Sequence, residues 1–490
     1  MKIQTIFFIL LINGITAFPQ STFVIKTGNF QDEMPNCIKQ IGDTYFMAIS
    51  INNDQVGEIW SGSKLICIGI DGTIKKEIEF NYTDSNYSAI SSINQISESE
   101  FLAIGGCKNS LLPVSQFWIM KMDTALNIIW EKKYMTSQPW CGTPRVTRIP
   151  DGNFLIGTTV TSSYPLYYRS LMFLEITEDG DSVQSVNYLN GNMPNTQISD
   201  LIWMNGGYKA FVDGYGAFTN NNCFSQILQI DTNLNLTEVR PVPYFIQGTR
   251  TAKLLNDSIY YLTGQSHFNQ YKFEVSIAKL SDHEDSIAFN HAGYPGKIDD
   301  YSGWLKCMSF TNYNSIFTGG TEDAYGPLHC EFQRTLMLSN YDSLLNCRWT
   351  RFYGGDACYT FNTLDATSDG GCIIAGMYYD VANPENLLDL FVVKVDSSGL
   401  FTGISDDPQM SSAQAIVYPN PGQDYLVVQS GPQISGSVFM LFDANCCCVL
   451  ETKLQSTTEQ RDLTNLPSGV YIWRIVNKGK SIEDGKWIKQ

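Results

Sequence analysis

The sequence predicts an all-β chain, a seven-bladed β-propeller followed by a small Ig-like β-sandwich, on three observations. A pair of apolar strands punctuated by Asp and Gly recurs seven times between residues 22 and 403. No stretch of any length carries a helical period to compete with it. After a polar segment at 404–415 the pattern changes to shorter and more closely spaced strands over 416–490.

Residues 1–17 precede all of this. Lys2 is followed by the apolar run Ile6-Phe-Phe-Ile-Leu-Leu-Ile12 and by a weaker polar end, Asn13-Gly-Ile-Thr-Ala17. A cation, an apolar core and small residues in that order predict a cleaved signal peptide. The core is too short to span a bilayer, and no later stretch is apolar enough to do so. A soluble mature protein without a transmembrane helix is expected.

The repeat comes next. Its seventh copy reads Asp369-Gly-Gly-Cys-Ile-Ile-Ala-Gly376 and then Leu390-Phe-Val-Val-Lys-Val-Asp396. The second reads Glu100-Phe-Leu-Ala-Ile-Gly-Gly106 and then Phe117-Trp-Ile-Met-Lys-Met-Asp123, running on into a further strand around Trp130. The turn aspartates stand at 71, 123, 179, 231, 282, 342 and 396, with spacings of 52, 56, 52, 51, 60 and 54. About four strands per repeat of this length is the signature of a propeller blade. One such sheet cannot bury both of its faces, so neighbouring sheets must supply the core. The seventh copy stops short of its last strand, while Thr22-Phe-Val-Ile-Lys26 stands alone before the first. That segment is expected to complete the last blade and close the ring, covering an edge that would otherwise lie open.

In the last segment, Ile416-Val-Tyr-Pro-Asn-Pro421 is followed by strand-like runs at Tyr425–Val428 and Ser437–Asp443, then by Leu463-Thr-Asn-Leu-Pro-Ser-Gly-Val-Tyr471 and Lys486-Trp-Ile-Lys-Gln490. Six or seven short strands in so few residues predict a small sandwich. The motif residues Tyr418, Pro419, Asn420, Pro421, Leu466, Pro467, Gly469, Tyr471 and Lys486 give it a clear resemblance to the type A sorting domain of the type IX secretion system. The resemblance implies an Ig-like sandwich recognised by an outer-membrane translocon. It also implies passage through the periplasm, and a protein either secreted or attached to the cell surface. Cys446-Cys447-Cys448 departs from the family, which favours a Gly and a basic residue there, and alternating burial on a strand is the expectation for it.

The composition excludes some functions. With 490 residues, 43% hydrophobic and 17% charged, the chain can bury more than one core. A formal charge of −17 argues against a nucleic-acid partner, which needs dense Lys and Arg. Of the 13 cysteines none forms Cys-x-x-Cys, so zinc and dithiol chemistry are not expected. Cys330, Cys347, Cys358 and Cys372 crowd one region, either as disulfides or as small buried hydrophobes.

The search for chemistry returns little. His267, His283, His291 and His329 have no zinc-ligand spacing. Gly264-Gln-Ser-His-Phe268 starts like a nucleophile elbow but has Phe where Gly is required. The Asp-Gly turns are read as hairpins rather than calcium loops. Trp60, Trp140, Trp203 and Trp304, in connecting stretches, are read as packing residues. Asp-Ser/Thr-apolar triplets at Asp123, Asp181, Asp257, Asp285 and Asp342 resemble the O-glycosylation acceptor of the same bacterial group. No catalytic residue, cofactor or metal is predicted. Two roles follow: a non-catalytic module binding a glycan, peptide or protein through loops such as 321–334 and 380–389, or a hydrolase or lyase acting on glycans in the central channel. An apolar, plugged channel would favour the first, and a polar channel with convergent side chains the second.

Overall fold

The computed structural model describes residues 21–27, 32–52, 62–80, 85–109, 111–162, 169–188, 196–214, 225–246, 248–269, 272–292, 300–322, 333–380, 388–401, 415–419, 422–430, 436–443, 447–456, 458–477 and 480–490. The signal peptide expected at 1–17 lies outside them, as does the linker at 404–415 apart from its last residue, which opens a strand. The described residues are all-β, without a helix. The chain divides into two compact units, Met1–Ile404 and Ser405–Gln490.

Among the described residues of the first unit, seven antiparallel sheets of four or five strands are laid down with neighbouring strands in chain order. The first sheet contains Asp32–Ile41, Thr44–Asn52, Gly62–Gly69 and Ile74–Phe80, and five more occupy 85–135, 140–188, 196–241, 248–291 and 301–354. The seventh takes Cys358–Ala366, Cys372–Tyr379 and Asp389–Val395, and its fourth strand is Phe23–Thr27. Phe23 is opposite Lys394 and Thr27 opposite Leu390 in that ladder. This is the position the truncated seventh repeat leaves open.

The middle strands are apolar on both sides because each sheet is covered on both faces. Phe101 and Ala103 pack towards the first sheet with Phe46 and Leu65, whereas Leu102 and Ile104 pack towards the third with Phe154 and Ile156. Further shared cores join the third sheet to the fourth, the fourth to the fifth and the fifth to the sixth. Phe361 of the seventh sheet fills the space over Gly319 of the sixth, where an added Cβ would come within 2.1 Å of the ring. Another core then joins the seventh sheet back to the first, with Phe23, Leu390 and Val392 against Ile38, Tyr45 and Met47. Serial sheets, each packed on its neighbours and the last on the first, form a β-propeller-like arrangement.

Polar contacts repeat with the same logic. The outer strand of one sheet reaches a turn carbonyl of the next: Lys76 Nζ to Ala125 (2.6 Å), Lys132 Nζ to Asp179 (2.8 Å), Gln184 Nε2 to Thr232 (2.7 Å), Asn290 Nδ2 to Leu345 (2.7 Å) and Tyr353 Oη to Gly399 (2.8 Å). From the seventh sheet to the first, Ser21 Oγ donates to the carbonyl of Ile70. Within the turns, Asp231 Oδ1 accepts from the amides of Asn233 (2.9 Å) and Asn235 (2.7 Å), and Asp342 and Asp396 do the same. These carboxylates serve their own turns. Leu126, Leu234 and Leu345 take the left-handed position there, at φ 60°, 58° and 64°. The strain costs about 1–2 kcal/mol per residue, and burial of each leucine to 2% exposure offsets it.

The second unit has two sheets. One contains Ala415–Tyr418, Tyr425–Ser430 and Thr458–Asp462; the other contains Cys448–Lys453, Val438–Phe442, Gly469–Asn477 and Lys480–Lys489. Leu426 and Val428 of the first pack with Phe439, Leu441, Tyr471, Trp473 and Trp487 of the second.

For the cysteines one expectation holds in part and one is corrected. Cys358 is disulfide-bonded, but Cys347 and Cys372 are free, the latter fully buried as a small hydrophobe. Cys447 and Cys448 do not alternate in burial, since both are exposed. The reason is an Asp turn, in which Asp443 Oδ1 accepts from the Cys447 amide at 2.8 Å. Cys446 lies outside the described residues.

Candidate functional site

The first strands of the sheets in the first unit carry irregularities at one recurrent place. The register slips at Asn36, Ser91, Ser199, Arg250 and Asn362 in five of them. In the third and sixth sheets the first strand is instead broken into two pieces, Trp140–Cys141 with Arg145–Arg148 and Tyr301–Ser302 with Met308–Asn312. An extra residue breaks the alternation and re-aims the side chains that follow it. Cys37, Ser92, Arg145, Asp200, Thr251 and Lys306 are thereby brought to one cavity of about 380 Å³, with Lys39, Asn94, Thr147 and Lys253 beside them.

The cavity lining mixes polar and apolar side chains, and its cations outnumber its one carboxylate, Asp200. Asp365, 2% exposed, sits between Lys306 (2.8 Å) and Lys39 (3.2 Å) and also accepts from Ser309 Oγ at 2.9 Å. Burial opposes its charge, but the two lysines outweigh burial and hold the carboxyl well below the usual range. Asp200 accepts the amide N–H of Leu201 at 2.8 Å on one oxygen and that of Ala252 at 2.7 Å on the other. Burial pushes this carboxyl up to about 6 against the Ala252 amide and the Arg145 charge. Lys253 donates to the carbonyl of Phe310 at 2.5 Å, and burial, helped by Lys306, brings its amine down to about 7. Arg145 is also disfavoured by burial, and its Nε has no hydrogen-bond partner. The Cys37 thiol is pushed up by burial, away from reactive thiolate character.

A second grouping was illegible in the sequence. Ser266 Oγ is 3.1 Å from His291 Nδ1, and Glu274 Oε2 is 3.4 Å from the same nitrogen. A serine relay needs the acid and the serine on opposite ring nitrogens. Here both face Nδ1, and Ser266 is 3% exposed. Burial lowers the His291 pKa despite Glu274. This is a buried polar knot rather than a nucleophile.

Of the four tryptophans expected to pack, Trp140 and Trp203 lie against aromatic neighbours. Trp203 lies on the strand Thr196–Met204, not in a loop, edge-on to Tyr208 at 4.9 Å. Trp140 stacks on Tyr87 at 5.7 Å under Lys108. Trp304 is exposed, and Trp60 lies outside the described residues. Among the candidate acceptors, Ser182, Ser258 and Ser286 are exposed, and Thr124 and Ser343 half-buried.

In the second unit the predicted motif residues meet the chain end. Trp487 Nε1 donates to the carbonyl of Pro419 at 2.7 Å, and Tyr471 Oη to that of Pro467 at 2.7 Å. Leu466 lies against the core, Tyr418 is exposed, Gly469 has open space where a Cβ would stand, and Lys486 is half-buried opposite Ile472. Asn420 and Pro421 lie outside the described residues. Lys489, which no motif marks, has a buried amine that donates to the carbonyls of Leu463 (2.5 Å) and Thr464 (3.1 Å).

Residues 416–490 match the family described as the secretion system C-terminal sorting domain. No curated protein matches the chain. Among solved structures, the β-propeller domain of the Trilobed protease from Pyrococcus furiosus is 12% identical with a TM-score of 0.43, over 79% of this chain and 99% of that one. Puromycin hydrolase is 12% identical with a TM-score of 0.38, over 70% of this chain. Pyrococcus horikoshii acylaminoacyl peptidase is 10% identical with a TM-score of 0.43, over 81% of this chain. The chain spans 58% of the length of each of these two enzymes. Likenesses this loose do not bear on activity.

Proposed function

With residues 416–490 a type IX secretion system C-terminal sorting domain, we propose that the chain is an exported binding protein. A signal peptide at 1–17 takes it to the periplasm, and a translocon recognises the terminal Ig-like sandwich through the motif containing Tyr418–Pro421, Leu466, Pro467, Gly469, Tyr471 and Lys486. The passenger, residues 22–403, is a seven-bladed propeller whose ring is closed by Phe23–Thr27, joined to the tail by the linker 404–415. It is secreted or displayed on the cell surface and acts as a non-catalytic module for a glycan, peptide or protein.

One observation carries the binding reading: the one carboxylate lining the cavity, Asp200, is held by two backbone amides, and burial keeps Cys37 of the same lining a thiol, so no nucleophile stands ready there. A glycan and peptide array probed with the full chain tests it. Saturable binding of a defined ligand is expected, and a blank array from folded protein would count against the module.

The convergence of side chains from six sheets on one cavity is what the hydrolase or lyase reading expects. Its support is that Asp200 at about 6 and Lys253 at about 7 fall in the range useful for proton transfer near neutral pH. Products released from a polysaccharide panel, and lost in Asp200→Asn, would replace the module with the enzyme.

A further inference from the structure

We propose that the cavity of the first unit is an oxyanion site, in which Arg145 and Lys253 hold a carboxylate, sulfate or phosphate group of the ligand. This rests on the reading of the first unit as a binding module and adds the chemistry of what it binds.

Among the described residues, two cations lining the cavity form no salt bridge. Lys39 and Lys306 share Asp365, at 3.2 and 2.8 Å. Asp200, the one carboxylate among the lining residues, faces the Arg145 charge without a salt bridge to it, and each of its oxygens accepts a backbone N–H. Among the described residues neither Arg145 nor Lys253 has a salt-bridge partner. The Arg145 Nε is buried and unpartnered, and the Lys253 amine rests on a carbonyl, 4.3 Å from the centre of the Phe310 ring. A protein that needed these side chains only for packing would pair them or replace them, because an unpaired cation out of water is costly. The local excess of positive charge also stands against the −17 of the whole chain.

Arginine and lysine are suited to the task in different ways. The guanidinium fork matches two oxygens of one oxyanion, and the ammonium adds a compact point charge. A space of about 380 Å³ admits a sugar-sized group. Burial favours the neutral amine at Lys253, so an arriving anion must draw a proton onto it. Binding is therefore coupled to proton uptake at mildly alkaline pH.

The test is titration calorimetry on the full chain with sodium sulfate, sodium phosphate, glucuronate and, as a neutral probe, glucose. The expected result is saturable binding of at least one anion and none of glucose. At about pH 8, the heat should differ between two buffers of unlike ionisation enthalpy. R145Q and K253Q should each weaken binding by about tenfold or more, and R145K should retain part of it. Circular dichroism and melting curves confirm that each variant is folded, and K253Q stands alone if R145Q is not. Binding unchanged in folded variants, or no saturable anion binding, overturns the oxyanion site. If an array ligand still binds in that case, the module reading survives, and if none does, both fall.

Discussion

Phe23 and Lys394 face each other in one antiparallel ladder, although one belongs to the first described strand of the chain and the other to the last strand of the first unit. The Phe23 ring also lies against Gly72 of the first sheet, where an added Cβ would come within 2.6 Å of it. Trp130 stands in the same relation to Gly180, and Trp349 to Gly399. One short strand thus joins the last sheet to the first. Phe23→Ala should destabilise the first unit by about 3 kcal/mol, the usual cost of emptying a buried aromatic site. Urea unfolding measures it, and an unshifted midpoint would show that the strand contributes nothing to closure.

Asp200, which lines the cavity, and Asp365, which pairs with two of its lysines, should respond to pH in opposite senses. The native Asp200 pKa is about 6, above the value of about 3.9 expected in the unfolded chain. The native state keeps this proton longer, so the group's contribution to stability is present below about pH 4 and lost by about pH 6. Relative to the wild type, Asp200→Asn should gain stability as pH rises through that window. A stability difference that does not vary with pH would refute the assignment.

Asp365 is depressed instead, so its contribution is present above the unfolded value and lost as pH falls through the native one. Asp365→Asn should cost about 3 kcal/mol at pH 7, because it strands Lys39 and Lys306. The deficit should shrink on acidification. Denaturant melts at several pH values would reveal a constant deficit, should the ion pairs be irrelevant.

In the second unit, Lys489→Met removes a buried amine from two carbonyls and should cost about 2 kcal/mol. Trp487→Phe breaks the bond to Pro419 at a similar cost. Hydrogen exchange on the full chain should show faster opening of the strands Gly469–Asn477 and Lys480–Lys489. Protection left at the wild-type level would mean that these contacts do not latch the terminus.

Deleting residues 416–490 should keep the protein inside the cell envelope, while the first unit remains folded. Fractionation with immunodetection reads the outcome. Undiminished appearance outside the cell would refute the sorting role.

What the sequence determined by itself lies in the middle strands and the turns. Phe101–Ile104 and Phe117–Met120 are apolar on both faces because each face meets a neighbouring sheet, so they read as unbroken strands. Five of the seven turn aspartates, Asp71, Asp123, Asp231, Asp342 and Asp396, accept an amide of their own hairpin, which is why they recur; in the other two turns Thr177 and Ser281 take that role. The motifs around Tyr418 and Tyr471 were legible for a similar local reason, since proline and glycine fix short turns. The candidate site was not legible. Its residues lie on first strands where an extra residue at Asn36, Ser91, Ser199 or Arg250 destroys the period of two on which any strand reading depends. Arg145, Asp200, Lys253 and Lys306 come from four different sheets and share no spacing in the chain. Only the packing of one sheet against the next decides that their charges meet in a single cavity.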